Sequence, residues 1–238
     1  MARQPERTGN HLFDALDYST LSSILRRTEE LSFDREFICY KADVPIQDIY
    51  FPKSCVISWV QNAGEGRRVE VATVGNEGFL GVPILLGADR TPGTSFCQIP
   101  GEGFKISVCD FHEFLTQFPE FFGILNRYVQ ALIVQIAQGN ACNALHNVEE
   151  RCARWLLSTL DRVGKSTFLL TQDFLAQMLA VRRTGVNEVA QTFQDAGLIR
   201  YVRGEITILN RPALEARSCV CYGIVRNEFR RMLKDLGE

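Results

Sequence analysis

Long apolar runs are missing from this chain. The longest in its 238 residues is Ala131–Ala137, ALIVQIA, which Gln135 interrupts. A bilayer-spanning helix needs about 20 apolar residues, so no membrane partner is expected. The opening MARQPERTGNH has no apolar stretch, which argues against a secretory segment. The eight cysteines are scattered, with no C-x-x-C pair. A reduced, cytoplasmic chain is therefore expected, in which most thiols serve as small buried hydrophobes. Only Cys219 and Cys221 lie close together, and a metal site needs more ligands than two. The three histidines, His11, His112 and His146, form no metal triad and no Ser/His/Asp or Cys/His arrangement. Gly164-Lys165-Ser166-Thr167 looks like the end of a phosphate loop. The Gly required five positions earlier is Thr159, inside a helix-like segment, so the match is accidental. An enzyme is not expected, and neither is a required cofactor or metal.

What is present is enough apolar sequence for a core, 46% of residues against 23% charged, and most readily two modest domains. The net charge of −2 hides a division. Residues 1–148 carry 12 basic against 17 acidic side chains, and residues 149–238 carry 14 against 11. An acidic first part and a basic second part suggest different partners.

Residues 12–32 show helical spacing and read as one or two short helices. From Phe33 to Val108 the texture becomes short apolar or alternating runs: Phe37–Tyr40, Ile49–Phe51, Cys55–Val60, Val69–Val74, Ser95–Ile99 and Phe104–Val108. Turn-rich spacers separate them, including a hairpin loop at residues 62–66, which indicates an antiparallel sandwich or barrel. A short helix follows over Asp110–Phe118. Pro119 then opens a long one to about Asn147, roughly 40 Å in length. Two stripes on it run at alternating steps of three and four. One is Leu125, Tyr128, Leu132, Gln135, Gly139 and Cys142; the other is Val129, Ile133, Ile136, Asn140, Asn143 and Asn147. Either a cap on the sheet domain or a dimer helix fits this pattern. Glu149–Val163 is amphipathic, with Cys152, Trp155, Leu156 and Leu160 on one side and Gly164 as its stop.

Residues 171–199 are the most informative. Thr171 is an N-cap for a helix whose apolar face is Phe174, Leu175, Met178 and Leu179. Ala180 and Val181 fall at a tight connection, and a second helix runs from Arg183 to Ala196 with Val186, Val189, Ala190 and Phe193 inward. Leu198–Val202 and Glu205–Leu209 form a hairpin through Arg203-Gly204. Helix, turn, helix and basic hairpin is the winged helix-turn-helix plan, whose second helix enters the major groove of duplex DNA. Its outward residues are Arg182, Arg183, Thr184, Asn187, Glu188 and Gln191. Arginine can grip guanine bidentately, and glutamate can accept from cytosine. Arg183, Thr184, Asn187 and Glu188 are the expected base readers, and Lys165, Thr171, Arg182, Arg200 and Arg203 the expected phosphate contacts. Arg182 is a poor N-cap residue. Two other classes fit less of the pattern: a thiol-based redox-responsive protein using Cys219 and Cys221, and a ligand-binding module without DNA reading.

Three stretches carry a resemblance that spans about Leu12 to Leu233. They are IYFPKSCVISWV…GEGRRVEVATVGNEGFLGVPILLG, HNVEERCARWLLSTLDRVG and LTQDFLAQMLAVRRTGVNEVAQTFQDAGLIRYVRGEITILN. Together they resemble the Crp/Fnr family of bacterial transcription regulators. The resemblance implies an α+β chain with a jelly-roll-like antiparallel β-roll of cyclic-nucleotide-binding type over 12–118. It further implies a dimerisation helix over 119–148 and a winged helix-turn-helix over 149–238. It favours a homodimer, seamed through Leu125, Tyr128, Leu132 and Gln135, on a pseudo-palindromic operator. RNA polymerase is a further partner should the chain activate transcription. Arg183 becomes the main base reader and Glu188 the second. Members that bind cyclic nucleotides carry a Gly-Glu pair followed by Arg-Ser/Thr-Ala. Here the corresponding pocket is Gly81, Val82, Arg90 and Thr91. Val82 replaces the Glu that takes the ribose hydroxyl and Pro92 replaces Ala, which argues against cyclic AMP. Cys39 stands alone near the N-terminus, which argues against an iron–sulfur cluster. The effector stays unidentified.

Overall fold

A computed structural model describes residues 7–62, 64 and 68–233. The expected hairpin loop at 62–66 falls mostly outside these. Helices α1 (His11–Asp14) and α2 (Tyr18–Leu25) start on Asn10 and Asp17, whose side chains accept the free amides of the first turn. The helical reading of 12–32 fails at its end, because Glu29–Phe33 is strand β1. It lies at a sheet edge with only Phe33 buried, so the two-residue alternation that marks a strand is faint.

The other strands fall where the apolar runs predict. They are β2 (Ile38–Tyr40), β3 (Asp48–Pro52), β4 (Val56–Asn62), β5 (Arg68–Val74), β6 (Thr94–Ile99) and β7 (Gly101–Ser107), with a single turn α3 (Val82–Leu85) between β5 and β6. They pair antiparallel in two sheets, β1-β7-β3 and β2-β6-β4-β5. Between the sheets lies an aromatic core of Phe13, Phe33, Phe51, Phe79, Phe104 and Phe111. Phe13 stacks on Phe51 at 4.4 Å and Phe51 on Phe79 at 5.6 Å, offset arrangements that add to their area burial.

Helix α4 (Val108–Gln117) leads into the long helix α5 (Pro119–Leu145), which opens on Pro119 as expected. One face of α5 closes the β-roll. Leu125 and Tyr128 are fully buried in the aromatic core, Leu132 is 3% exposed and Gln135 8%. The expected dimer seam through these four residues is therefore wrong. The β-roll of the same chain has already covered them, and a partner cannot reach them. The opposite face, Phe122, Asn126, Gln130, Ile133, Ala137, Asn140 and Ala144, is exposed.

Helix α6 (Val148–Val163) begins after a two-residue break. Asn147 and Glu150 form a reciprocal capping box, and Gly164 at φ 66° stops it. There follow β8 (Thr167–Leu169), α7 (Gln172–Met178), α8 (Arg183–Asp195), β9 (Ile199–Val202) and β10 (Glu205–Ile208), with the three strands in the order β8-β10-β9. Two further helices, α9 (Arg211–Arg217) and α10 (Val220–Leu233), complete the described chain. α10 turns back along α5, with Phe229 6.1 Å from Tyr128. The β-roll, long helix and winged helix-turn-helix are thus all present.

Candidate functional site

The Thr171 hydroxyl accepts the amide of Phe174 and so starts α7. Ala180 then takes φ 52°, a left-handed turn that a small side chain enters at moderate cost, and the chain reverses into α8. Val186, Ala190 and Phe193 bury one face of α8 against Leu175, Met178 and Leu156. That burial leaves Arg183, Thr184, Asn187 and Glu188 exposed together on the other face. Arg182 precedes the helix with no side-chain cap bond, so its guanidinium is free of that duty. In the hairpin, Arg203 at φ 51° and Gly204 at φ 79° form the two-residue turn that matches strand twist. Lys165, Arg200 and Arg203 are exposed, and Thr171 is half-buried. Arg183 pairs with Asp173 of α7 at 3.3 Å, both largely in solvent. Such a pair is worth little and yields readily to another anion. Gln191 is turned along its own helix to Asp195 at 2.7 Å. The arrangement offers a polar, cation-flanked helix face that is exposed among the described residues, suited to a groove lined by phosphates.

The helix-turn-helix unit is not independent of the β-roll. Val56, Val60, Phe96 and Ile99, on the outer side of the four-stranded sheet, share a core with Trp155, Leu156, Met178 and Phe193. Phe96 meets Phe174 edge-on at 6.1 Å. Within this seam Glu70 is half-buried, accepting Trp155 Nε1 at 2.8 Å. Ser58 Oγ lies 2.6 Å from Glu70 Oε2 and also against Gln98 Oε1. One hydroxyl hydrogen cannot serve both acceptors, so the row is completed either by a protonated Glu70 or by a turned Gln98 amide, whose Nε2 has no partner among the described residues. Burial pushes the Glu70 carboxyl up to about 7, with the Ser58 and Trp155 hydrogen bonds opposing it. Beside it, Arg162 of α6 pairs with Glu77 at 2.7 Å and donates to Gln135 Oε1 at 2.7 Å. Gln135 passes on to Thr73 O at 3.0 Å. Gln135 thus links the long helix to both halves of the same chain.

The expected effector pocket is only partly assembled. Gly81, Val82 and Thr91 line a small apolar cavity with Tyr40, Trp59 and Leu132. Arg90 is not among its walls. It is exposed and held by the neighbouring Asp89 at 2.8 and 2.9 Å, so placing it in the pocket is corrected.

A second grouping went unseen in the sequence. Cys142 and His146, at the end of α5, meet Cys219 and Cys221, at the start of α10, with all four donor atoms within 4.8 Å of one another. Cys142 Sγ lies 3.5 Å from Cys219 Sγ, and Cys221 Sγ 3.5 Å from His146 Nδ1. The thiol–thiol hydrogen bond draws Cys142 down to about 5 and pushes Cys219 up. The expectation of no metal rested on Cys219 and Cys221 having no companions, and here the fold supplies two. The i, i+4 spacing of Cys142 and His146 on a helix was the available signal.

Residues 150–217 match the family of Crp-like helix-turn-helix domains. A search of curated proteins finds no match. Among solved structures, FixK2 from Bradyrhizobium japonicum is similar with a TM-score of 0.69 at 14% identity, over 81% of this chain and 98% of that one. TTHB099, a transcriptional regulator of the CRP family from Thermus thermophilus, gives 0.64 at 17% identity, over 79% and 96%. The c-di-GMP-responsive global regulator CLP of Xanthomonas campestris gives 0.63 at 13% identity, over 82% and 100%.

Proposed function

We propose that this chain, a member of the Crp/Fnr regulators by its fold and its Crp-like helix-turn-helix domain, binds a two-fold DNA operator as a homodimer and regulates transcription there. The observation that carries the reading is the exposed row Arg183, Thr184, Asn187 and Glu188 on α8, flanked by Lys165, Arg182, Arg200 and Arg203. In this reading Arg183 and Glu188 select bases and the flanking cations hold phosphates. Two such helices, one per subunit, sit in successive major grooves about 34–36 Å apart. The subunits pair through the exposed stripe of α5, where Phe122, Ile133, Ala137 and Ala144 are the apolar positions and Asn126 and Asn140 set register at some loss of stability.

Gating acts at the seam between β-roll and helix-turn-helix, through the break at His146–Asn147. An effector shifts the balance only by binding one arrangement better than the other. The cavity beside Gly81 and Val82 has apolar walls, no arginine among its lining residues and a free volume of about 10 Å³, so a cyclic phosphate does not fit it without opening.

The test is selection from random duplex DNA by the purified chain, with and without cell extract. A pseudo-palindromic site is expected. Arg183→Ala then loses about 1–3 kcal/mol at one base position, while Lys165→Ala weakens all sequences alike. Failure to enrich any site under either condition overturns the reading, and a uniform loss from Arg183→Ala removes its base-reading role.

A further inference from the structure

We propose that Cys142, His146, Cys219 and Cys221 bind a single tetrahedral, thiophilic divalent cation of the zinc class, which pins the last helix to the end of the long one. The geometry is that of a coordination shell. Zinc–sulfur bonds of about 2.3 Å and zinc–nitrogen bonds of about 2.0–2.1 Å place neighbouring donors of a tetrahedron about 3.5–3.8 Å apart. The Cys142–Cys219 and Cys221–His146 separations are both 3.5 Å, and no pair of the four donors exceeds 4.8 Å. All four therefore close on one centre. A two-iron cluster would need its ligand pairs spread across two metals and their bridging sulfides.

The scaffold brings the donors close enough that a side-chain adjustment of about an ångström completes the shell. Cys142 lies in the last turn of α5 and His146 is the extended residue that ends it, and Cys219 and Cys221 bracket the first residue of α10. Cys142, Cys219 and Cys221 are buried and His146 half-buried. Three thiols and an imidazole are a soft donor set that selects zinc over magnesium or calcium. Gln138 Nε2 donates to Cys221 Sγ at 3.1 Å, a contact that orients this donor. Binding replaces the thiol protons by the metal, so three thiolates and one divalent ion leave a net −1 at the site. Four protein ligands leave no open position, which makes the ion a staple rather than a Lewis acid. It sits beside the break between α5 and α6, so its occupancy fixes α10 against the hinge. None of this rests on the DNA reading.

The full chain is purified under reducing conditions without chelator, and its metal content and free thiols are measured. The metal-free chain is then titrated with cobalt(II), followed by zinc(II). The expected result is one metal per chain, with the visible ligand-field bands of tetrahedral thiolate-bound cobalt, bleached by zinc. Cys142→Ala and Cys219→Ala lose these bands, while Cys109→Ala, at an exposed and remote thiol, keeps them. His146→Cys retains binding and gains charge-transfer intensity from a fourth thiolate, which separates ligation from a mere packing defect. Absence of the bands in the unaltered chain overturns the proposal. So do bands that survive Cys219→Ala, a Cys142–Cys219 disulfide in metal-free protein, or iron–sulfur absorption in the isolated chain.

Discussion

The half-buried Glu70 makes the seam between the two halves sensitive to pH. Its carboxyl is raised from the usual 4.5 to about 7 by burial. That rise corresponds to about 3 kcal/mol between the protonated and ionised forms. The sign follows from proton binding. Between pH 4.5 and 7 the folded chain holds a proton on Glu70 that the unfolded chain has released. Glu70 therefore contributes its full stability below the usual carboxylate range, loses it as pH rises through this window, and contributes nothing more to the slope above it. Glu70→Gln removes the titration but keeps the hydrogen bonds, since the amide oxygen accepts from Trp155 and the amide nitrogen donates to Ser58. Urea unfolding at pH 5 and pH 8, followed by Trp155 emission in a Trp59→Phe background, reads the effect. The variant should gain about 2.5 kcal/mol on the parent chain between the two conditions, and comparing the pair cancels every other titrating group. Parallel pH dependences in the two proteins would show that Glu70 is ionised in the folded state, and the hydrogen-bond row through Ser58 would need another proton source.

Two further outcomes test the packing. Arg162→Leu leaves Glu77 buried without its cation and should cost about 3–5 kcal/mol in chemical denaturation. A loss below about 1 kcal/mol, the range of an exposed pair, would mean that water reaches Glu77 and the pair is not a bolt between the halves. Ile133→Glu, on the exposed stripe of α5, should leave the chain folded but turn the proposed dimer into a monomer by sedimentation. A variant that stays dimeric moves the interface off this helix face.

The helix-turn-helix was legible residue by residue because its determinants are local. Thr171 caps the helix it precedes, Phe193 packs against residues within the same unit, and Arg203-Gly204 closes a turn between adjacent strands. Strand β1 was lost because Glu29–Phe33 at a sheet edge buries only its last residue. The long helix was legible in extent and not in orientation. Two stripes at steps of three and four differ little in apolar content, and only the β-roll, folded from residues far upstream, decides that Leu125, Tyr128 and Leu132 turn inward. Arg90 was misplaced by analogy, since the adjacent Asp89 claims its guanidinium before any ligand could.

The features that could control the DNA-facing helix share a different property. Trp155 meets Glu70 across 85 positions of sequence, Arg162 meets Glu77 across the same number, and Cys142 meets Cys219 across 77. No periodicity or spacing rule reaches that far, because each pair is brought together by the docking of one unit on another. The physical reason is the one that makes such pairs useful for control. A contact within one unit persists whenever that unit is folded, whereas a contact between units reports how they are arranged. On the proposed reading, a proton at Glu70 or a metal ion at Cys142 and Cys219 biases the arrangement of the helix-turn-helix without altering Arg183 or Glu188. A Glu70→Gln chain should then select the same operator as the parent while differing in how its affinity changes with pH.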